Sequence, residues 1–262
     1  MEPFFWSALV IAVIVTVLFI VAVYKKDNSI IDIFYGLIFV TVALFTFFFL
    51  STGHVIAALV SVLTVVWGVR LSGRMYLKNR GKAEDQRYAP WRESWMQKGK
   101  AYFYIRSYGQ VFLLQGLIIF LVSLPIVLVN TAFAMEWNAF VSLGLALWCV
   151  GFLFESIADF QLDTFLKNPD NHGRIMTSGL FRYSRRPNYF GESLMWWGIA
   201  VIAFSEPLHW IAFVSPAIIT YIMYAVTGPL TEEMWEGNDE YRAYRRVTNY
   251  FIPWFPKKNN SL

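Results

Sequence analysis

The chain has 262 residues, 57% of them hydrophobic and 15% charged, against roughly 25% charged in a soluble domain. A water-soluble globule is excluded, because about 149 apolar side chains, at roughly 20 per span, fill about seven membrane helices and leave around a hundred residues for connections. The formal net charge is +4, and the single Cys149, with no C-x-x-C pair or Cys/His set beside it, excludes an internal disulfide and cysteine-based redox or zinc chemistry.

In chain order, apolar runs occupy residues 4–24, 31–50, 55–69, 111–129, 140–157, 189–204 and 208–226. These lengths predict an all-α, polytopic, seven-transmembrane-helix bundle. The first run has no basic leader and no A-x-A site, so it reads as a retained span. The 22 Lys and Arg residues fall in alternate connections: Lys25 and Lys26 after the first run, ten from Arg70 to Arg106, five from Lys167 to Arg186, and five in the tail from Arg242 to Lys258. By the positive-inside rule the amino terminus faces out and the carboxyl terminus faces the cytoplasm. Those charges also attract anionic headgroups of the bilayer. Nucleic acid is not an expected partner, since the aromatics sit in spans and at their ends, where an interfacial belt belongs. No repeat or linker divides the chain, which reads as one membrane domain: residues 1–110 carry the first spans and a basic loop, and residues 111–262 carry the later spans.

No G-x-G-x-x-G, Walker-type loop, H-E-x-x-H or G-x-S-x-G occurs, so no Rossmann fold or P-loop holds a nucleotide. His54, His172 and His209 are far apart in sequence, and no metal centre is expected. Four other stretches stand out. Glu155, Asp159 and Asp163 recur at i, i+4 and i+8, which places them on one helix face at the end of the fifth span. They are either a salt-bridge row for the basic loop that follows or acceptors for the amide, hydroxyls or ring nitrogens of a polar ligand.

The second stretch is residues 173–192, G-R-I-M-T-S-G-L-F-R-Y-S-R-R-P-N-Y-F-G-E. Pro187 suits the first turn of span six, which puts Asn188 and Glu192 on one face behind Arg174, Arg182, Arg185 and Arg186. Guanidiniums ahead of a helix amino terminus make a diphosphate cradle. The third stretch, G-K-A-E-D-Q-R-Y at residues 81–88, is either a solvated turn or a lid. In the tail, Glu232, Glu233, Tyr241 and Tyr244 precede F-I-P-W-F-P at residues 251–256, an expected amphipathic anchor at the membrane face.

The run S-G-L-F-R-Y-S-R-R-P-N-Y-F-G-E, the following M-W-W-G and the terminal F-I-P-W-F-P resemble the carboxyl-terminal region of the steroid 5-alpha-reductase superfamily. The likeness is to its DUF1295 branch of bacterial membrane proteins over most of the chain, through W-G-V-R-L-S-G, G-K-A-E-D-Q-R-Y and Q-V-F-L-L-Q-G as well. The resemblance implies a seven-helix bundle with a cytoplasm-facing pocket for NADPH and a lateral opening for a lipid. It implies that Asn188 and Glu192 contact the cofactor, with Arg174 and Asp159 at further matching positions and Glu155 where the reductases carry an Asn. The cofactor-binding set expected on that basis is Glu155, Asp159, Lys167, Arg174, Arg182, Tyr183, Arg185, Asn188, Tyr189 and Glu192. Arg186 stands where the motif commonly has His.

Steroid reductases activate the substrate ketone with a Glu on span two and a Tyr on span three. Trp67 falls near the tyrosine, span two is read as carrying no acid, and no catalytic residue is carried over. Tyr35, Tyr76, Tyr88, Tyr104 and Arg70 are the polar groups near span ends from which a proton donor would come.

The function implied is NADPH-dependent reduction of a conjugated C=C in a lipid or sterol-like substrate, in the plasma membrane or the endoplasmic reticulum according to source. A second reading is an S-adenosylmethionine-dependent lipid methyltransferase, in which Glu232 and Glu233 supply the acidic pair that isoprenylcysteine and phospholipid methyltransferases carry after the last span. A third is a non-catalytic lipid-binding protein.

Overall fold

In a computed structural model of the chain, residues 2–85 and 87–257 are described. Gln86 of the basic loop and Lys258 of the tail lie outside the described residues. The fold among them is all-helical: α1 (Glu2–Lys25), α2 (Ile30–Leu50), α3 (Val55–Asn79), α4 (Ala89–Gln97), α5 (Lys100–Arg106), α6 (Leu114–Thr131), α7 (Ala139–Lys167), α8 (Pro187–Ala203), α9 (Val214–Tyr221), α10 (Gly228–Glu233) and α11 (Asp239–Val247). A π-helical segment, Ser107–Leu113, joins α5 to α6, and another, Ile222–Thr227, joins α9 to α10.

Six helical stretches among the described residues are long and apolar enough to cross a bilayer: Glu2–Lys25, Ile30–Leu50, Val55–Asn79, Lys100–Thr131, Ala139–Lys167 and His209–Glu233. The chain is a multi-pass membrane protein. The seventh expected span, α8, has 17 residues. At about 1.5 Å per residue it reaches roughly 26 Å, short of the roughly 30 Å hydrocarbon layer. Pro187 fixes where it starts. Several helices outrun the apolar runs that announced them. Thus α7 continues ten residues beyond position 157, because E-S-I-A-D-F-Q-L-D keeps acids on one face and Ile157 and Phe160 on another.

The chain divides into two compact units, residues 1–137 with 205–212, and residues 138–204 with 213–262. In the first, α2 and α3 cross at Gly36 and Gly68, where a Cβ on either residue would overlap the other's backbone. Deep in this unit the Asn130 amide on α6 donates to Thr46 Oγ1 at 2.8 Å, Ala43 O at 3.1 Å and Ser61 Oγ at 3.1 Å, tying α2 and α3 to α6. Each of these polar atoms is shut off from water, and leaving one unpaired in hydrocarbon is costly. His54 caps α3, its Nδ1 accepting from Ala57 N at 3.2 Å.

In the second unit α7 and α8 run backbone to backbone. Gly144 and Gly151 on α7 face Gly198 and Gly191 on α8. A Cβ at Gly144 would sit 2.5 Å from Gly198 O, and one at Gly191 would sit 2.5 Å from Glu155 N. Small residues let membrane helices approach until dispersion contacts and weak Cα–H···O bonds replace a hydrophobic drive that lipid does not supply. Gly191 lies inside N-Y-F-G-E, so part of that motif is a packing element. Gly191→Val places its added atoms on the backbone of α7, which cannot yield as a flexible side chain would. It is expected to lower the thermal midpoint in detergent and the folded yield, by at least the 1–3 kcal/mol typical of overpacking. An unchanged midpoint would show that the two helices part freely.

Candidate functional site

The glycine crossing brings the acids of α7 beside the amide and acid of α8. Glu155, Asp159 and Glu192 are 2%, 3% and 7% accessible, three carboxylates withdrawn from water in one helix pair. Asn188 Nδ2 donates to Asp159 Oδ1 at 3.3 Å, which joins the two stretches that stood out in the sequence. Pro187 occupies the first turn of α8, and Arg186 immediately precedes it. The Arg186 guanidinium lies 5.8 Å from the Tyr189 ring centroid. Its Nε is shielded from solvent and meets no acceptor among the described residues. A guanidinium N–H buried without an acceptor is costly, so the position suits an anion.

Arg185 is engaged differently. Its Nε donates to Glu232 Oε1 at 2.8 Å and its Nη2 to Glu232 Oε2 at 3.3 Å, while Nη1 donates to the carbonyls of Arg245 at 3.0 Å and Thr248 at 3.1 Å. Its guanidinium also sits 5.2 Å from the Tyr250 ring centroid. The side chain placed in the anion cradle by sequence is therefore a clamp between the chain ahead of α8 and the tail.

The main chain repeats that join. Arg185 N–H donates to Asn249 O at 2.9 Å, Trp254 N–H to Tyr183 O at 2.9 Å, and Ser184 Oγ to Phe251 O at 2.7 Å. The two sequence stretches that carry the family resemblance, residues 178–192 and 251–256, are thus hydrogen-bonded together. The anchor reading of the tail is corrected in one respect: Tyr241 and Tyr244, the apolar face of α11, are buried against Ile175 and Trp235 in protein.

The other expected residues scatter. Lys167, Arg174 and Arg182 are exposed, and Tyr183 and Tyr189 are half-buried. Gly179, in a left-handed conformation at φ 61°, starts the turn that carries Arg182 and Tyr183, and Leu180 N–H is fixed by Gln161 Oε1 on α7 at 2.9 Å. Of the expected set, Glu155, Asp159, Asn188 and Glu192 come together at the α7–α8 crossing, while Tyr189, with Arg186 over its ring, stands at the start of α8.

The first unit holds a polar cluster that the sequence reading passed over. Asp32 lies within the second apolar run, in the first turn of α2, so span two does carry an acid. Its Oδ1 accepts from Tyr88 OH at 3.1 Å and its Oδ2 from Arg87 Nη2 at 2.8 Å. Gln115 Nε2 donates to Tyr88 OH at 3.1 Å. Glu84 takes Arg92 Nε at 2.7 Å and Asn28 N at 2.7 Å. Glu84 and Arg87 thus tie this connection to Asn28, Arg92 and Asp32, while residues 81–83 and Arg87 itself stay exposed. Burial, and next the Asp32 carboxylate, push the Tyr88 phenol above its ordinary range. Burial alone would raise Asp85, but hydrogen bonds from the Arg87 side chain and backbone outweigh it and hold that carboxyl low. An acid close to the start of a run escapes a hydropathy scan, and the nearby aspartate–arginine alternation is its only sequence signal.

An all-helical membrane fold with carboxylates and an amide gathered at one helix crossing, and an arginine immediately ahead of it, defines a multi-pass membrane protein with a buried polar site. A family profile described as "Protein of unknown function (DUF1295)" matches residues 18–248, and the chain belongs to that family, which is related to the steroid 5-alpha-reductases. An uncharacterized protein of Schizosaccharomyces pombe is 26% identical over 285 residues, covering 96% of this chain and 80% of its own length. A mouse 3-oxo-5-alpha-steroid 4-dehydrogenase 1 is 37% identical over 62 residues, 24% of each chain. A probable O-methyltransferase of Ustilaginoidea virens is 33% identical over 64 residues, 24% of this chain and 22% of its own. The matched stretch is about a quarter of the length of these last two. No solved structure matches. The partial likeness to steroid reductases points to a membrane reductase of that superfamily.

Two outcomes test the clamp. Glu232→Ala leaves Arg185 buried without its carboxylate and is expected to cost about 3–5 kcal/mol in detergent unfolding, as when one partner of a buried pair is removed. Burial chiefly, opposed by Arg186 and reinforced by Glu232, pushes the Tyr241 phenol from 10.0 up to about 12. The folded chain therefore holds that proton where the unfolded chain releases it. The resulting stability is full below pH 10 and falls as pH rises toward about 12. Tyr241→Phe should flatten this alkaline decline in a series of thermal midpoints against pH.

Proposed function

We propose that the protein is an NADPH-dependent membrane reductase, transferring hydride to a conjugated C=C of a lipid or sterol-like substrate. The observation that carries this reading is the Asn188–Asp159 hydrogen bond, with Glu155 and Glu192 buried beside it and Arg186 ahead of α8. The donor set fits the cofactor. The amide and carboxylates offer partners to hydroxyls and a carboxamide, and the shielded Arg186 Nε, which lacks an acceptor among the described residues, suits a phosphate oxygen.

Asn188, Glu192, Asp159 and Glu155 would hold the polar rim of the nucleotide, and Arg186 and Tyr189 at the start of α8 would face its phosphates. When bound, the dihydronicotinamide supplies a hydride to the β carbon of the alkene, and a proton from a protein donor or water completes the neighbouring carbon. The chain's part is to orient and to exclude water: the α7–α8 contact leaves no space for solvent between the helices at their glycines, and Asn188 is held against Asp159.

The same reading includes seven crossings, with the amino terminus outside and the carboxyl terminus in the cytoplasm. Its support is parity. The bond from Arg185 N–H to Asn249 O keeps the chain before α8 and the chain after His209–Glu233 on one face of the membrane. An even number of crossings between them would follow, with α8 as one of the two despite its length. The positive-inside rule would put the basic connections on that face.

The partial match to an O-methyltransferase favours a second reading, use of S-adenosylmethionine. In that reading Glu232 is a cofactor ligand, yet it is bound to Arg185.

Thermal unfolding of the purified protein with NADPH, NADH and S-adenosylmethionine separates these. NADPH at a hundredfold excess over Kd is expected to stabilise by about 2.7 kcal/mol. Asn188→Ala, Glu192→Ala and Arg186→Gln should each weaken that response, with expression retained. A response to S-adenosylmethionine alone, or wild-type NADPH stabilisation in all three variants, would overturn the assignment.

A further inference from the structure

In the second unit Phe154, Leu180, Tyr183, Pro253, Trp254 and Phe255 enclose a cleft of about 290 Å³. It is distinct from the acid crossing: Phe154 precedes Glu155 on α7 and turns to Phe190, 5.6 Å away between ring centroids. The cleft has a framework. Trp254 N–H is bonded to Tyr183 O at 2.9 Å, and the Tyr183 ring meets Phe255 edge-on at 6.1 Å. Its walls are apolar apart from one phenol.

The surroundings say what covers it. Along α7, Leu153 and Phe160 are 56% and 72% exposed, and across the cleft Trp254 and Phe255 are 67% and 73% exposed. Such a surface belongs in hydrocarbon, and Trp and Tyr on its rim belong at the headgroup level. Two cations stand on the strands of chain that frame it: Arg182 immediately before Tyr183, and Lys257 three residues after Trp254. Both are exposed, and neither has an ion pair among the described residues. Apolar walls with two exposed cations on the chain segments that frame them match an amphiphile that carries a chain and a negative charge.

We propose that this cleft takes one acyl chain of an anionic phospholipid, whose phosphate pairs with Arg182 and Lys257. The site is independent of the nucleotide reading and would hold a bilayer lipid in a protein that reduces nothing.

The test is native mass spectrometry of the full chain in detergent, titrated separately with phosphatidylglycerol and phosphatidylcholine. One phosphatidylglycerol should be retained in preference to phosphatidylcholine, and the preference should fall about fivefold for each of Arg182→Gln and Lys257→Gln. Phe255→Glu, at an exposed position that leaves the core intact, should abolish retention by setting a carboxylate at the mouth. Equal retention of the two lipids, no retained lipid, or unchanged phosphatidylglycerol retention in any of these variants would overturn the proposal. None of these outcomes depends on whether NADPH binds.

Discussion

The second unit depends on one constraint: α7 and α8 touch through their backbones at two pairs of glycines. A Cβ at Gly144, Gly151, Gly191 or Gly198 would come within 2.5–2.6 Å of the facing backbone, so the helices would have to part. With the glycines in place, Glu155 and Asp159 lie against the first turns of α8, and Asn188 reaches Asp159. A carboxylate in that position is expensive to retain, which is why the crossing, and not the exposed arginine row, is the centre of the functional reading.

The arginines show how one motif can serve two purposes. Arg185 and Arg186 are adjacent, and composition cannot tell them apart. Since Ser184 is buried and bonded to the tail, Arg185 points into the carbonyls that end α11, where Glu232 completes its set of acceptors. Arg186 points to the start of α8. A row of four guanidiniums in sequence thus resolves into a structural clamp, a candidate anion ligand and two solvated cations, Arg174 and Arg182.

Much of this was legible in the sequence for definite reasons. Apolar length announces a membrane span, and a spacing of four announces a shared helix face, so the spans and the Glu155–Asp159 and Asn188–Glu192 pairs could be read directly. The small-residue crossing was not legible, because one glycine signals close approach only when its opposite number is known, and α7 and α8 are separated by a long connection. The docking of Arg185 on Glu232 joins positions 47 residues apart. Asp32 was missed since its neighbours are so apolar that the run absorbs it. The extent of α8 was legible as well, since the run at residues 189–204 and Pro187 ahead of it match the observed Pro187–Ala203.

Asn130 in the first unit has a consequence for biogenesis. Its amide is satisfied by Ala43 and Thr46 of α2 and by Ser61 of α3. The helix that bears it is inserted after both, so its partners already wait in the bilayer when it arrives. Until it docks, a primary amide faces lipid tails, and that exposed amide rewards one rotation of the incoming helix over all others. Assembly of the three segments is therefore guided by a polar knot that costs energy in every arrangement but one.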